Sequence, residues 1–240
     1  MIQKKAINKL LDNLQDYLFP GFFSNKVIGK DDIVFDLCKM FKRLEVNKYS
    51  ASQFVNKIDE IKKLLLKDIE ATFNGDTATK SYEEIIVSYP GIYAIMIYRL
   101  AHELYVNEVP MLPRLISEIA HSKTGIDIHP CATIGEYFFI DHGTGVVIGE
   151  TTIIGNNVRI YQGVTLGALS LGRGNKLKGT KRHPTIGNNV IIYSGASILG
   201  GNTVIGNNVT IGSNSYILES IEDNIIVRIK QMDLEFKTKK

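Results

Sequence analysis

The stretch Ile148-Gly149-Glu150-Thr151-Thr152-Ile153-Ile154-Gly155-Asn156-Asn157-Val158-Arg159-Ile160-Tyr161-Gln162-Gly163-Val164-Thr165-Leu166-Gly167 decides the fold. Ile148, Ile154, Ile160 and Leu166 stand six residues apart, and three of the four are followed by Gly. An α-helix turns every 3.6 residues and a flat strand alternates every two, so neither produces a beat of six. Short strands joined by tight turns do, with one aliphatic per repeat pointing inward. Gly and Asn suit the corners because they reach positive φ at low cost.

Working outward, the same beat carries Ile128, Ile134 and Ile140, then Ile186, Ile192 and Ile198, then Ile205, Ile211 and Ile217. Asn-Asn pairs recur at 156–157, 188–189 and 207–208. The count breaks three times: between 140 and 148, between 166 and 186, and between 198 and 205. A low-complexity tract would not hold so many aliphatics in register, so a β-solenoid is expected over residues 122–220. In families of such hexapeptides, three make one coil of a triangular prism.

Before residue 122 the period is helical. Ile7, Leu10, Leu11, Leu14 and Leu18 form one stripe, and Ile33, Leu37, Phe41 and Leu44 a second. Phe54, Ile58, Ile61 and Leu65 form a third, and Tyr93, Ile97, Leu100 and Leu104 a fourth. Pro20-Gly21, Asn74-Gly75 and Pro90-Gly91 separate them. Residues 1–121 are therefore expected to be an α-helical domain, and the class is α+β. Residues 221–240 leave the beat; Ile225, Ile226, Val227 and Ile229 could add one strand, and Lys237, Lys239 and Lys240 read as a solvated end.

Composition excludes several functions. The 28 Lys and Arg against 25 Asp and Glu leave a net charge of +3, too little to argue for nucleic acid. No uninterrupted apolar run reaches the length of a bilayer span. Asp12 and Asp16 interrupt the N-terminal apolar stretch, which does not read as a signal peptide, so a cytoplasmic protein is expected. Cys38 and Cys131 form neither a CxxC nor a metal-ligand spacing.

Chemistry concentrates at two of the breaks. Phe139-Ile140-Asp141-His142-Gly143-Thr144-Gly145 fills the first. Asp127 lies fifteen residues before His142, about one coil once the extra residues are allowed for, so the two could stack. A carboxylate beside an imidazole fixes its tautomer and stabilises the cation of a general base. Spacing alone equally allows Asp127 and Asp141 to make turns and His142 to be an ordinary surface residue. The second break holds residues 168–183, a Gly-rich loop with Arg173, Lys176, Lys178, Lys181 and Arg182 and no acidic residue. It suits an anionic ligand or is a solvated loop. Gly167–Gly172 imitates the start of a phosphate loop, but Arg173 replaces the Lys and no Ser or Thr follows it. The sequon Asn208-Val209-Thr210 is idle in a chain that is not secreted. His102 reads as structural or exposed. His129, His142 and His183 could be imagined as a zinc triad, which would require them to converge on one ion.

Several of these motifs resemble the serine O-acetyltransferases. They are Gly125-Ile126-Asp127-Ile128-His129-Pro130, Ile140-Asp141-His142-Gly143-Thr144-Gly145, Val147-Ile148-Gly149-Glu150-Thr151, Gln162-Gly163-Val164-Thr165-Leu166-Gly167 and Lys181-Arg182-His183-Pro184-Thr185-Ile186-Gly187. The resemblance covers about residues 76–220. It implies a left-handed parallel β-helix behind a helical domain, assembled as a homotrimer or as a hexamer of two trimers. It implies transfer of acetyl from acetyl-CoA to L-serine, giving O-acetyl-L-serine and CoA in the first step of cysteine biosynthesis, without a metal. A related hexapeptide acyltransferase with homoserine or a sugar as acceptor is the alternative. By position, the resemblance makes His142 the base and Asp127 its orienting partner. It gives Asp76 and Asp141 the serine ammonium, and Arg182 and His183 the serine carboxylate. Gly167, Ala168, Ser194 and Ser213 would line the path of CoA. L-cysteine, using the serine site, is the implied feedback inhibitor.

The chain also departs from the family pattern. Asp76-Thr77 stands where Asp-Pro is usual, the loop before Arg182 is longer, and Ile226-Val227-Arg228-Ile229-Lys230 replaces a Gly-x-Pro-Ala-Arg motif. The sequence ends in Lys240, whereas the tail that docks O-acetylserine sulfhydrylase ends in Ile, so that complex is not expected.

Overall fold

The computed structural model describes residues 3–169 and 179–230. The expected cationic loop therefore lies mostly outside the described residues, as do Lys237, Lys239 and Lys240.

Six helices come first: α1 (Lys4–Leu18), α2 (Lys30–Arg43), α3 (Ala51–Gly75), α4 (Tyr82–Ser88), α5 (Pro90–Val106) and α6 (Leu112–Thr124). Local chemistry sets their ends. Ser50 caps α3 by accepting from the Gln53 N–H at 3.1 Å, while the Gln53 side chain accepts from the Ser50 N–H at 2.8 Å. Pro90 opens α5, where a missing N–H costs nothing. Gly125 stops α6 in the left-handed region, φ 71°, with its N–H on the His121 carbonyl. The predicted stripes are the buried faces: Leu10, Leu14, Leu18, Leu37, Phe54, Ile58, Leu65, Ile97 and Leu100 are almost fully enclosed. Helix α5 is buried nearly all round and packs on both α3 and α6. Among the described residues no single helix is long and apolar enough to cross a membrane.

The strands then wind into three parallel sheets, forming a left-handed β-helix of about five turns. Sheet A holds β1 (Asp127–Ile128), β4 (Val147–Ile148), β7 (Thr165–Gly167), β10 (Ser197–Leu199) and β13 (Tyr216–Ile217). Sheet B holds β2 (Thr133–Ile134), β5 (Ile153–Ile154), β8 (Thr185–Ile186) and β11 (Val204–Ile205). Sheet C holds β3 (Phe139–Asp141), β6 (Arg159–Tyr161), β9 (Ile191–Ile192), β12 (Thr210–Ile211) and β14 (Ile226–Val227). The register stacks the six-beat residues. Ile128, Ile148, Leu166, Ile198 and Ile217 form one column, and Ile134, Ile154, Ile186 and Ile205 the next. Ile140, Ile160, Ile192, Ile211 and Val227 form the third.

The corner between B and C shows why Asn recurs. Asn157, Asn189, Asn208 and Asn224 have φ of 56°, 57°, 57° and 63°. Their side-chain amides run coil to coil at 3.0–3.1 Å. The solenoid outlasts the six-beat: Ile221 bridges Ile205, and β14 pairs with β12. The boundary read at 220 thus moves out to Val227, because the final coil changes its spacing and hides from a strict count. Helix α6 likewise runs three residues past 121.

A buried ion pair joins the two parts. On α5, Arg99 grips Asp68 of α3 at 2.6 and 2.8 Å and also donates to the Gly135 carbonyl at 2.8 Å. The same carboxylate accepts from the Phe138 N–H at 2.9 Å. The Tyr98 hydroxyl donates to the Ala132 carbonyl at 2.6 Å, and His102 Nδ1 contacts the Pro130 carbonyl at 2.8 Å, which gives His102 its structural role. The helical domain is thereby fixed on the first coil, and the end of α3 is held against β3.

Candidate active site

Between β3 and β4 the chain spends five residues on a corner that takes three between β6 and β7. The surplus puts His142 at φ 58°, between Asp141 and two glycines that are also at positive φ. A non-glycine residue held in the left-handed region is a strained placement, and here it aims the imidazole outward. The His142 side chain is 72% exposed, and its Nε2 lies 3.7 Å from Oδ1 of Asp141. Asp141 is itself buried at the end of β3.

The helical domain closes over this corner. A Cβ on Gly75 would lie 2.8 Å from the Phe139 ring, so only glycine lets α3 end this close to β3. The next residue, Asp76, accepts from the Ala78 N–H at 2.8 Å and from the Tyr89 hydroxyl at 2.7 Å. The Ala78 N–H, then the Tyr89 hydroxyl, hold its carboxyl below the usual range, and the charges of Arg159 and His142 add to this. Burial, followed by the bond to Asp76, pushes the Tyr89 hydroxyl up to about 12. Asp76, Asp141 and His142, assigned to the acceptor site from the sequence, are thus brought together. Tyr89 and Arg159 were missed. Arg159 pairs with Oδ2 of Asp141 at 2.7 Å. It occupies an outward hexapeptide position that looks interchangeable in sequence; only its register opposite Phe139 signals its place.

Asp127 does not join them directly. It sits on β1, on the face that follows the His142 corner, and its carboxylate lies within 4.8 Å of ligand atoms of Glu118 and His121. Among the described residues no hydrogen bond or ion pair connects it to His142; the imidazole's ionic neighbour is Asp141.

Arg182 and His183 occupy the other edge of sheet A, the corner between A and B. Arg182 is paired with Glu150. His183 Nδ1 accepts from the Thr151 N–H at 3.1 Å and lies 2.9 Å from its hydroxyl. With Nδ1 accepting, the neutral ring carries its proton on Nε2 and can donate it. Burial, reinforced by Arg182, drives the imidazolium pKa down to about 4. His183 is therefore a neutral donor rather than a cation. Lys181 pins the corner through the carbonyls of Thr151, His183 and Pro184.

The positions assigned to CoA divide in the same way. Gly167 and Ala168 flank the A/B corner. Ser194 and Ser213 stack one coil apart at the C/A corner, with their Oγ atoms 3.3 Å from each other. The three histidines imagined as a zinc triad do not converge. His129 and His183 share the A/B edge, where each ring feels Arg182, and His142 lies across sheet A from both.

Fold and corner together define a hexapeptide-repeat β-helix protein, with an outward imidazole beside the carboxylates of Asp76 and Asp141. No family model matches the chain. The plasmid-borne serine acetyltransferase of Synechococcus elongatus is 56% identical over 150 residues, which cover 61% of this chain and 47% of that protein. The chain thus spans about half the length of that relative. The structure of Entamoeba histolytica serine acetyltransferase isoform 3, in complex with cysteine, superposes with a TM-score of 0.82 at 41% identity, covering 96% of this chain and 84% of that one. Neisseria gonorrhoeae serine acetyltransferase in complex with serine gives 0.70 at 29%, covering 95% and 83%. The chain belongs to the serine acetyltransferase family.

Proposed function

We propose that the protein transfers the acetyl group of acetyl-CoA to the hydroxyl of L-serine, releasing O-acetyl-L-serine and CoA. The observation that carries this reading is the cradle of Asp76 and Asp141 beside the exposed ring of His142. Two carboxylates suit an ammonium, and an imidazole within reach suits the adjacent hydroxyl. His142 takes the hydroxyl proton as Oγ attacks the thioester carbonyl carbon. The tetrahedral intermediate then collapses, the C–S bond breaks, and the imidazolium returns its proton to the departing sulfur. The enzyme needs no nucleophile of its own, and Cys131 lies at the A/B edge, away from the cradle.

The amino acid also needs a partner for its carboxylate. Arg182 and His183 offer one, but within a single chain they lie across sheet A from His142. A cyclic homotrimer resolves this, since a heterologous interface closing on a three-fold axis sets the A/B edge of one copy against the C/A edge of the next. The divided CoA positions, Gly167 and Ala168 against Ser194 and Ser213, support the same arrangement. The reading places the work in the cytoplasm, where acetyl-CoA is available. L-cysteine differs from serine by one atom and would occupy the same cradle as an inhibitor, consistent with the cysteine held by the Entamoeba protein.

The test is thiol release from acetyl-CoA with L-serine, with homoserine as the competing acceptor, with and without L-cysteine. Serine should be strongly preferred and cysteine should suppress turnover; preference for homoserine refutes the acceptor assignment. Mixing His142→Asn with Arg182→Gln, each inactive alone, should restore activity on subunit exchange. Failure to complement refutes the shared site.

A further inference from the structure

The pairing of Arg159 with Asp141 bears on that site in a way the serine assignment does not require. Arg159 is half-buried, flanked by two aromatic rings and the end of α3. Its guanidinium lies 4.7 Å from the centroids of both the Phe139 and Tyr161 rings. Gly75 passes close enough that a Cβ there would stand 3.5 Å from one of its nitrogens. Its Nε is buried and finds no acceptor among the described residues. A purely structural arginine would be expected to satisfy that donor. Here the two rings and Asp141 fix the orientation. Of the Asp141 oxygens, Oδ2 takes the arginine at 2.7 Å and Oδ1 faces His142 Nε2 at 3.7 Å.

We propose that Arg159 is a positioning residue for the base: by clamping Oδ2 of Asp141 it turns Oδ1 toward His142 and cancels one of the two negative charges beside the imidazole. The groups that face this corner are Asp141 on β3, Asp76 at the end of α3, Tyr89 at the head of α5, and Arg159 and Tyr161 on β6. On the adjoining β1, the Asp127 carboxylate lies within 4.8 Å of ligand atoms of Glu118 and His121 of α6. Tyr89 and Tyr161 are both shifted away from ionisation, so the carboxylates and Arg159 set the local charge. With Arg159 in place the cradle carries one net negative charge, which matches one substrate ammonium. Without it, two uncompensated carboxylates would flank the ring and favour its protonated form, which cannot accept the serine proton.

The inference rests on the acetyl-transfer reading for its purpose but not for its measurement. The His142 ring is followed by NMR in the full-length assembly labelled at histidine, its signal assigned by loss in His142→Asn. Arg159→Gln should raise the midpoint of the His142 titration by about one pH unit, the scale of one newly unpaired carboxylate nearby. Arg159→Lys should stay near the parental midpoint. Asp141→Asn should lower it, and Asp141→Asn/Arg159→Gln should lie above Asp141→Asn. The acid limb of kcat/KM for serine should move in the same direction in each variant, with the KM for acetyl-CoA unchanged. The double variant removes both charges at once, so it serves if Arg159→Gln alone does not fold. Identical His142 midpoints with and without Arg159, in either background, overturn the proposal. A titration that moves as described in a protein that does not acetylate serine upholds the role of Arg159 and removes the acetyl-transfer reading instead.

Discussion

Replacing Gly149 by Ala isolates the contribution of His183. Gly149 follows β4, directly beneath the imidazole. A Cβ built there would overlap Cδ2 and Nε2 of His183 and stand 2.7 Å from Cγ. Non-bonded carbons settle at about 3.5–4.0 Å, so the ring must retreat by about 1 Å or more. The Gly149 backbone is not in the left-handed region, so alanine adds no strain of its own. The ring edge nearest the clash carries Nε2, the donor left over once Nδ1 accepts from Thr151. Misplacing a substrate-orienting group by about 1 Å costs on the order of a hundredfold in rate. Gly149→Ala should therefore lower kcat/KM for serine about a hundredfold while circular dichroism and oligomer mass stay parental. In the background of His183→Ala the same change should cost little, because the ring it displaces is gone. Parental kcat/KM in Gly149→Ala, or an undiminished penalty in the double variant, refutes the reasoning.

Arg99→Met leaves the Asp68 carboxylate buried with only the Phe138 N–H, and should cost about 3–5 kcal/mol in urea unfolding; an unchanged midpoint would show that the junction does not depend on the pair. His183 contributes a pH dependence of stability. Its folded pKa of about 4 lies below the roughly 6.5 of the unfolded ring, so between these values the unfolded chain binds more protons. Stability should fall as pH drops from about 6.5 toward 4, with no contribution above that window; His183→Gln should flatten the curve, and an equal slope in that variant removes the assignment. Asp76→Asn should raise the serine KM roughly tenfold, the worth of one charge-assisted bond, with little change in the KM for acetyl-CoA.

Much of this protein is legible in its sequence because both halves obey strict periods. The stripes through Leu10, Phe54 and Leu100 could face only a helical core. The columns through Ile148, Ile160 and Ile186 could stack only if the chain coiled. The Asp141-His142 break was visible because a register-keeping repeat makes any insertion conspicuous. Arg159 was not visible, since outward positions carry no periodic constraint and its neighbours Phe139, Gly75 and Asp141 are set by coil register and by where α3 ends. Tyr89 was hidden for the same reason: its bond to Asp76 crosses a turn whose direction no local pattern encodes.

Sequence alone determined the element types, the inward columns, the left-handed Asn corners and the identities of the reactive groups, because each follows from local sterics and from burying one aliphatic per repeat. Only the tertiary structure decided which reactive groups are neighbours. It set Asp141 beside His142, made Arg159 a member of the cradle, and put Arg182 and His183 on the far edge of sheet A. Contacts between coils depend on how many residues each corner consumes, and contacts between domains on a buried pair such as Arg99 and Asp68; neither quantity is written in any one stretch of chain.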